Sequence, residues 1–407
     1  MKNNISNTRN SLYKLINWID INNYLGYDPY DIKAHPWVIK IARQSQQSSL
    51  YTLLRELIYE LFYTFPLFSR RILKIKPSVN AKALGLLADA YLDLFTFTKD
   101  KTYLSKADHY LNWLLHHPGK AESGLGWGYP FDWQSAELIP ANTPNGIVTT
   151  AVGEAFWKRY SMRKDPADLD ILINIGRFLA DLPKDKTADD KLCFSYTPLY
   201  KNHVHNLNLF VAEFLLKVGI ESGNKDWIDL ARKAVNYTIG NQNPDGSFEY
   251  NGPPEQPANY IDHYHTGFVL RMLFSIRKLT EREDIDVALR KGYRFYIENF
   301  FEGPVPKLKP DQKYRIDIHS CAEAVICLCT LQEFFPGSCD KAREVLNWTI
   351  NNLQDPSGYF YYGILKSRLI GFTWKSKIPY FRWGQAWMMK ALATYLKTTF
   401  DNLSTHA

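Results

Sequence analysis

Residues 321–329 read Cys321-Ala322-Glu323-Ala324-Val325-Ile326-Cys327-Leu328-Cys329, with eight of nine side chains apolar and no face left polar. A helix apolar on most of its faces is a buried one. Working outward, the chain holds six such segments, at roughly 79–96, 144–160, 204–218, 263–280, 318–334 and 381–396. They begin about every 55–65 residues, a period that marks a repeat architecture. Amphipathic segments alternate with them, at roughly 47–64, 102–116, 166–181, 225–239, 284–299 and 340–353. In the fourth of these, Trp227, Leu230, Ala231, Ala234, Val235 and Thr238 recur at i, i+3/i+4 spacing. Asp226, Asp229, Arg232, Lys233 and Asn236 occupy the other face, as on a surface helix.

Six outer helices alternating with six inner ones make six hairpins. Neighbouring hairpins bury each other's faces, and closing the row into a ring removes the exposed ends of an open solenoid. The chain is therefore expected to be all-α, an (α/α)6 toroid over residues 47–400. A short N-terminal extension, 1–46, is expected to pack on it as an arm, with a tail at 401–407. Links from inner to outer helices are short, about five residues, whereas outer-to-inner links run to about 25. The long loops thus gather at one rim, beside the N-termini of the inner helices. Loops on a rigid scaffold carry function, and helix N-termini favour anionic groups.

Composition narrows the function. Aromatic residues reach 15% of the 407, with 26 Tyr, 23 Phe and 11 Trp, and many lie in the long loops. Gly124-Leu125-Gly126-Trp127-Gly128-Tyr129, Asp245-Gly246-Ser247-Phe248 and Pro356-Ser357-Gly358-Tyr359-Phe360-Tyr361 are Gly-plus-aromatic turns. Flat rings with a polar handle suit the apolar faces of sugars, and they equally suit covering a hairpin end. A net charge of +7 without a basic stripe gives no sign of nucleic-acid binding and accords with an anionic saccharide. Five cysteines, three of them in the apolar stretch 321–329, read as core residues of a reducing compartment. With no apolar leader and no run of about 18 apolar residues, no membrane span is expected, and a cytoplasmic location is.

Polar residues cluster where the inner helices begin. His203, His205, Asp262, His263, His265, Asp317 and His319 are the candidates for chemistry, because an imidazole beside a carboxylate is a general base or acid near neutrality. His263 and His265, two apart, cannot share a helix face. Asp28, Tyr30, Trp127, Tyr129, Asp132, Asn145, Arg382 and Trp383 are the candidates for holding substrate: Arg382 for a carboxylate, the rings for stacking, Asn145 beside the carboxylate. Two of Asp132, Asp262 and Asp317 would serve a hydrolytic reaction that needs paired carboxylates. The commonest role of an Asp or Thr at a helix start is capping, and Thr143 before Pro144 reads that way. No tight ligand spacing, phosphate loop, dinucleotide fingerprint or nucleophile elbow occurs, so neither metal nor cofactor is expected.

On hairpin count, loop polarity and the Gly-aromatic turns, residues 47–397 resemble the six-hairpin glycosidase-like superfamily, which holds unsaturated glucuronyl hydrolases, polysaccharide lyases, uronate epimerases and sugar 2-epimerases. Trp18 and Gly26-Tyr27-Asp28-Pro29-Tyr30-Asp31 are similar to a group of uncharacterised proteins associated with cell-surface polysaccharide synthesis. The resemblance implies a carbohydrate-active enzyme on an acidic, uronate-containing saccharide, working by elimination, epimerisation or hydrolysis. It also leaves open a non-catalytic saccharide-binding or assembly factor partnered with glycosyltransferases. The Arg-x-x-Trp start and paired histidines of the sugar 2-epimerases are not found in register, nor is the two-Asp arrangement of the glucuronyl hydrolases.

Overall fold

The computed structural model describes residues 2–188, 190–255, 260–367 and 371–405. Helix α1 spans Lys2–Ile21, and a short 3-10 turn at Asp31–Ala34 leads to α2 (Pro36–Gln44), α3 (Ser49–Thr64) and α4 (Pro66–Ile72). The repeat then runs through α5 (Ala81–Thr98) and α6 (Lys101–His116), α7 (Gly146–Arg163) and α8 (Pro166–Asp181), then α9 (His205–Ser222) and α10 (Lys225–Ile239). It continues through α11 (His263–Thr280) and α12 (Glu283–Asn299), α13 (Ile318–Thr330) and α14 (Ser338–Leu353), ending in α15 (Trp387–Thr405). Helices α5, α7, α9, α11, α13 and α15 pack in that order, and α15 packs back on α5, closing the ring. The protein is an (α/α)6 toroid. Among the described residues, no helix is long and apolar enough to cross a membrane.

The sixth outer helix is not the segment expected. Residues 47–64 are largely helical, but α3 packs on α2 and α4, around a small core of Ile32, Val38, Ile41, Ile58 and Phe62. Helix α1 instead lies on α15 and α14. Two matching turns explain why it docks there. Gln242 Nε2 donates to Gly246 O (2.9 Å) and to Ala288 O of α12 (3.0 Å). Gln354 Nε2 donates to Gly358 O (2.9 Å) and to Ser11 O of α1 (3.0 Å). Both glycines have left-handed φ, +95° and +113°. A Cβ on either would strike the next helix, at Lys291 O or Lys14 O. The motif therefore stitches each outer helix to the next, and α1 stands to α14 as α12 stands to α10. The expected arm is thus a ring helix for its first 21 residues, and residues 22–80 form an appendage at the rim. The expected tail is helical through Thr405, and residues 406–407 lie outside the described residues.

Four of the five inner-to-outer links are two residues, tighter than the five expected, and the fifth, Leu331–Gly337 between α13 and α14, is longer at seven. Lys99-Asp100, Lys164-Asp165, Gly223-Asn224 and Glu281-Arg282 each put a left-handed residue first, at φ +51° to +73°. In three of the four the second residue caps the next helix, Asp100 accepting from Thr102 N, Asp165 from Ala167 N and Asn224 from Trp227 N. On the α7 side the cap is Asn145, which accepts from Val148 N, and not Thr143.

Below the rim the ring is held by charges in addition to apolar packing. Asp89 and Asp93 of α5 pair with Lys158 of α7 and with Lys390 and Lys397 of α15. Arg271 of α11 lies 2.6 Å from the fully buried Glu323 of α13. Charges are buried at low cost only when paired in this way.

Candidate active site

Five of the six inner helices send a side chain from their first turns into one cavity of about 150 Å3 at the loop rim. These are Lys82 from α5, Ile147 from α7, Asn206 from α9, Tyr264, His265 and Phe268 from α11, and His319 from α13. Arg382 and Trp383 come from Phe381–Ala386, a π-helical turn ahead of α15. Such a turn leaves backbone unpaired and re-aims side chains. Gln385 secures it by clasping Phe360, accepting from its N–H and donating to its carbonyl, both at 2.8 Å. The rim loops add Tyr30, Tyr129, Phe131, Trp133, Tyr196 and Tyr250, so nine of the fifteen lining side chains are aromatic.

Two histidines reach this cavity. His265 Nδ1 lies 2.6 Å from Asp262 Oδ2, while its backbone N–H donates to Asp262 Oδ1 at 2.9 Å. Asp262 is the N-cap of α11 and is fully buried, so one carboxylate both starts the helix and orients the ring. A carboxylate accepts, so Nδ1 is the donor to Asp262, and in the neutral ring Nε2 is the acceptor. His319 lies among Tyr264, Trp383 and Trp387, with ring centroids 4.4–4.9 Å away. Neither of its nitrogens has a hydrogen-bond partner among the described residues. Burial, then the cations Lys82 and Arg382, hold its pKa well below the ordinary value, so this ring is neutral.

Two basic side chains line the cavity, one paired and one not. Arg382 Nε and Nη2 bind Asp28 bidentately, at 2.6 and 2.8 Å, with the guanidinium over the Tyr129 ring. Lys82 has no ion-pair partner among the described residues, and burial followed by Arg382 lowers its pKa to about 7. Asn206 Oδ1 is buried and likewise unpartnered. Buried polar atoms without partners are exceptions that call for an explanation. Here His319 and Asn206 line the rim cavity.

The fifteen sequence candidates divide three ways. Tyr30, Tyr129, His265, His319, Arg382 and Trp383 line the cavity. Asp262, Asp28 and Asp317 stand behind it as partners, Asp317 accepting from Trp383 Nε1 at 2.8 Å and from His319 N at 2.9 Å. The other six, contrary to expectation, do not reach it. His203 is held within 3.1 Å of both Glu255 and Asp185. His205 faces Tyr237 and Phe248, and His263 faces Tyr296, Phe300 and Phe301, both rings turned toward the outer helix. Burial lowers their pKa values to about 4 and about 3. Trp127 is a core residue donating to Leu114 O, Asn145 is a cap, and Asp132 accepts from Ala141 N. No carboxylate lines the cavity among the described residues, so the paired-carboxylate arrangement for hydrolysis is not formed by Asp132, Asp262 and Asp317. Lys82 is not among the sequence candidates, and the signal that marks it is a single Lys in the first turn of an inner helix.

A closed ring of hairpins with a rim cavity defines a class of fold, and solved structures share it. The cellobiose 2-epimerase of Bacillus thermoamylovorans is similar at a TM-score of 0.63 and 10% identity, over 80% of this chain and 88% of that one. A glycoside hydrolase family 76 α-mannanase of Bacteroides thetaiotaomicron aligns at 0.59 and 10%, over 81% and 88%. A possible member of glycoside hydrolase family 105 from Klebsiella pneumoniae aligns at 0.60 and 11%, over 78% and 82%. At such identities the likeness is one of fold. No family model matches the sequence, and no curated protein does.

Proposed function

We propose that this protein is a carbohydrate-active enzyme that removes a proton from a carbon next to the carboxylate or carbonyl of an acidic saccharide. The observation that carries the reading is the Asp262–His265 pair, whose ring lines an aromatic cavity that also holds Lys82 and Arg382. His265 takes the proton, and the electron pair moves onto the carboxylate or carbonyl oxygen. Lys82 and Arg382 offset that charge, and neutral His319 donates a hydrogen bond to it. Return of a proton from another group gives epimerisation, and Lys82, near pKa 7, is suited to that step. Departure of the oxygen one carbon further on gives elimination. The sugar faces stack on the rings. The fold likeness to an epimerase and glycoside hydrolases supports the substrate class, and the resemblance of Trp18 and Gly26–Asp31 supports a place in cell-surface polysaccharide synthesis or processing.

The aromatic majority of the lining also favours a second reading, saccharide binding without turnover. Incubation with uronate and neutral oligosaccharides in D2O separates the two. Deuterium entering a sugar C–H position by NMR supports the enzyme. Saturable binding with no exchange and no product supports the binding factor.

A further inference from the structure

Residues 31–76 carry a second feature that the cavity does not use. Half of the twenty large apolar side chains exposed on the described surface lie between Trp37 and Ile72. On α3 they are Leu50, Leu53, Leu54, Leu57 and Leu61, a single stripe at i, i+3, i+4, i+7 and i+11, with Leu57 61% exposed. Phe65, Phe68 and Ile72 continue it along α4, and among the described residues no element covers it. The opposite side of α3 is fully engaged. Ile58 and Phe62 enter the small core, and Lys33 lies over the Tyr59 ring at 4.7 Å. Monomeric soluble proteins rarely leave a contiguous apolar surface of this kind without a partner.

Charge indicates which partner. Residues 31–76 contain eight Lys and Arg against three acidic residues, a net +5 out of +7 for the whole chain. Arg70 is spent internally on Asp31, at 2.6 Å. Lys40 and Arg43 of α2 and Arg71, Lys74 and Lys76 at the end of α4 and just past it are exposed, whereas α3 itself carries Arg55 against the exposed Glu56 and Glu60, so the basic excess lies on the segments flanking the stripe. A leucine stripe that runs into aromatic residues and then into a basic segment, here Arg71, Lys74 and Lys76, is a form that lies in the plane of a bilayer interface. Its cations meet anionic headgroups there. A second copy fits less well, because it would bring two faces of net +5 together.

We infer that α3 and α4 form an in-plane docking surface for an anionic lipid bilayer, entered by the leucine stripe and held by Arg71, Lys74 and Lys76. The appendage is fastened to the rim of the cavity, since Arg70 also donates to Asp28 O at 2.7 Å and Asp28 holds Arg382. Docking therefore brings the cavity rim to a lipid surface, where a saccharide carried on a lipid would be presented. That last consequence rests on the saccharide reading above, whereas the docking itself does not.

The test is flotation of the full chain with vesicles of phosphatidylcholine and phosphatidylglycerol, against vesicles of phosphatidylcholine alone. The expected result is partition onto the anionic vesicles at least tenfold stronger than onto the neutral ones, weakened by added salt. Leu53→Glu/Leu57→Glu and Arg71→Glu/Lys74→Glu should each reduce it tenfold or more with the circular-dichroism spectrum unchanged, as all four side chains are exposed. A wild-type chain that stays off anionic vesicles overturns the inference, as does binding that Leu53→Glu/Leu57→Glu leaves intact. So does a lipid-free dimer, seen by sedimentation equilibrium, that those substitutions dissociate. None of these results depends on saccharide turnover.

Discussion

Asp262 holds His265 twice, through Oδ1 to the backbone N–H at 2.9 Å and through Oδ2 to ring Nδ1 at 2.6 Å. The helix start and the ring tautomer therefore depend on one carboxylate, and substitution can separate the two. Asn also caps helices, so Asp262→Asn should change stability by less than about 1 kcal/mol while lowering kcat by roughly 10²–10⁴, the cost of a misassigned tautomer. Asp262→Ala should add about 1 kcal/mol of lost capping. Thermal melts and steady-state kinetics of the two variants check both halves.

His319 and His263 are both buried and neutral, yet only His319 faces the cavity. His319→Phe should abolish turnover, and His263→Phe should leave it within about twofold. His263→Phe should also improve acid tolerance. Its imidazole, held near pKa 3 when folded, takes up a proton below about 6.5 only in the unfolded chain. Native stability is therefore lost as pH falls from about 6.5 toward 3, and the Phe variant escapes that loss. Urea midpoints measured at about pH 7 and about pH 4.5 test this.

Lys82 predicts a pH dependence of the same sense in a higher window. Its folded pKa of about 7 is depressed from 10.5, so the unfolded chain binds more protons between those values and stability rises with pH across that window. Lys82→Met should stabilise the fold at about pH 6 by on the order of 2–4 kcal/mol, with the gain fading toward about pH 10. Affinity for an anionic saccharide should weaken in the wild type as pH rises through about 7 and lose that dependence in the variant. Calorimetric titration on either side of that pH reads it.

The equivalence of α1 and α12 predicts matched costs. Gln354→Ala and Gln242→Ala each remove two hydrogen bonds to a neighbouring turn and helix. Each should cost about 1–2 kcal/mol, measured by urea denaturation. A negligible effect of Gln354→Ala would argue against α1 as a ring helix.

The ring itself was legible, because an inner helix surrounded by other helices must be apolar on most faces, as 321–329 is. The identity of the sixth outer helix was not. Residues 47–64 carry an amphipathic period as regular as any ring helix, and periodicity does not say whether the apolar face is covered. The information lay in the paired motifs at Gln242–Phe248 and Gln354–Phe360, each of which needs a helix beyond it to receive its glutamine. For the site, residue type alone placed His265 and His319 among seven candidates at helix starts. His205 and His263 stand at the same kind of position, and a side chain there turns toward the cavity or toward the outer helix according to its place in the first turn. Lys82 escapes a reading built on imidazole and carboxylate groups at helix starts, although it is the one Lys of its helix.

The most direct test of the central claim is solvent exchange at a saccharide C–H in D2O by the wild type, His265→Gln and Asp132→Asn. With the wild type and Asp132→Asn, the carbon beside the carboxylate or carbonyl is expected to take up deuterium (epimerisation) or to lose its C–H in an unsaturated product (elimination), and either event should be at least a hundredfold slower with His265→Gln. Exchange undiminished by His265→Gln, or turnover without exchange that requires Asp132, would contradict the role given to His265.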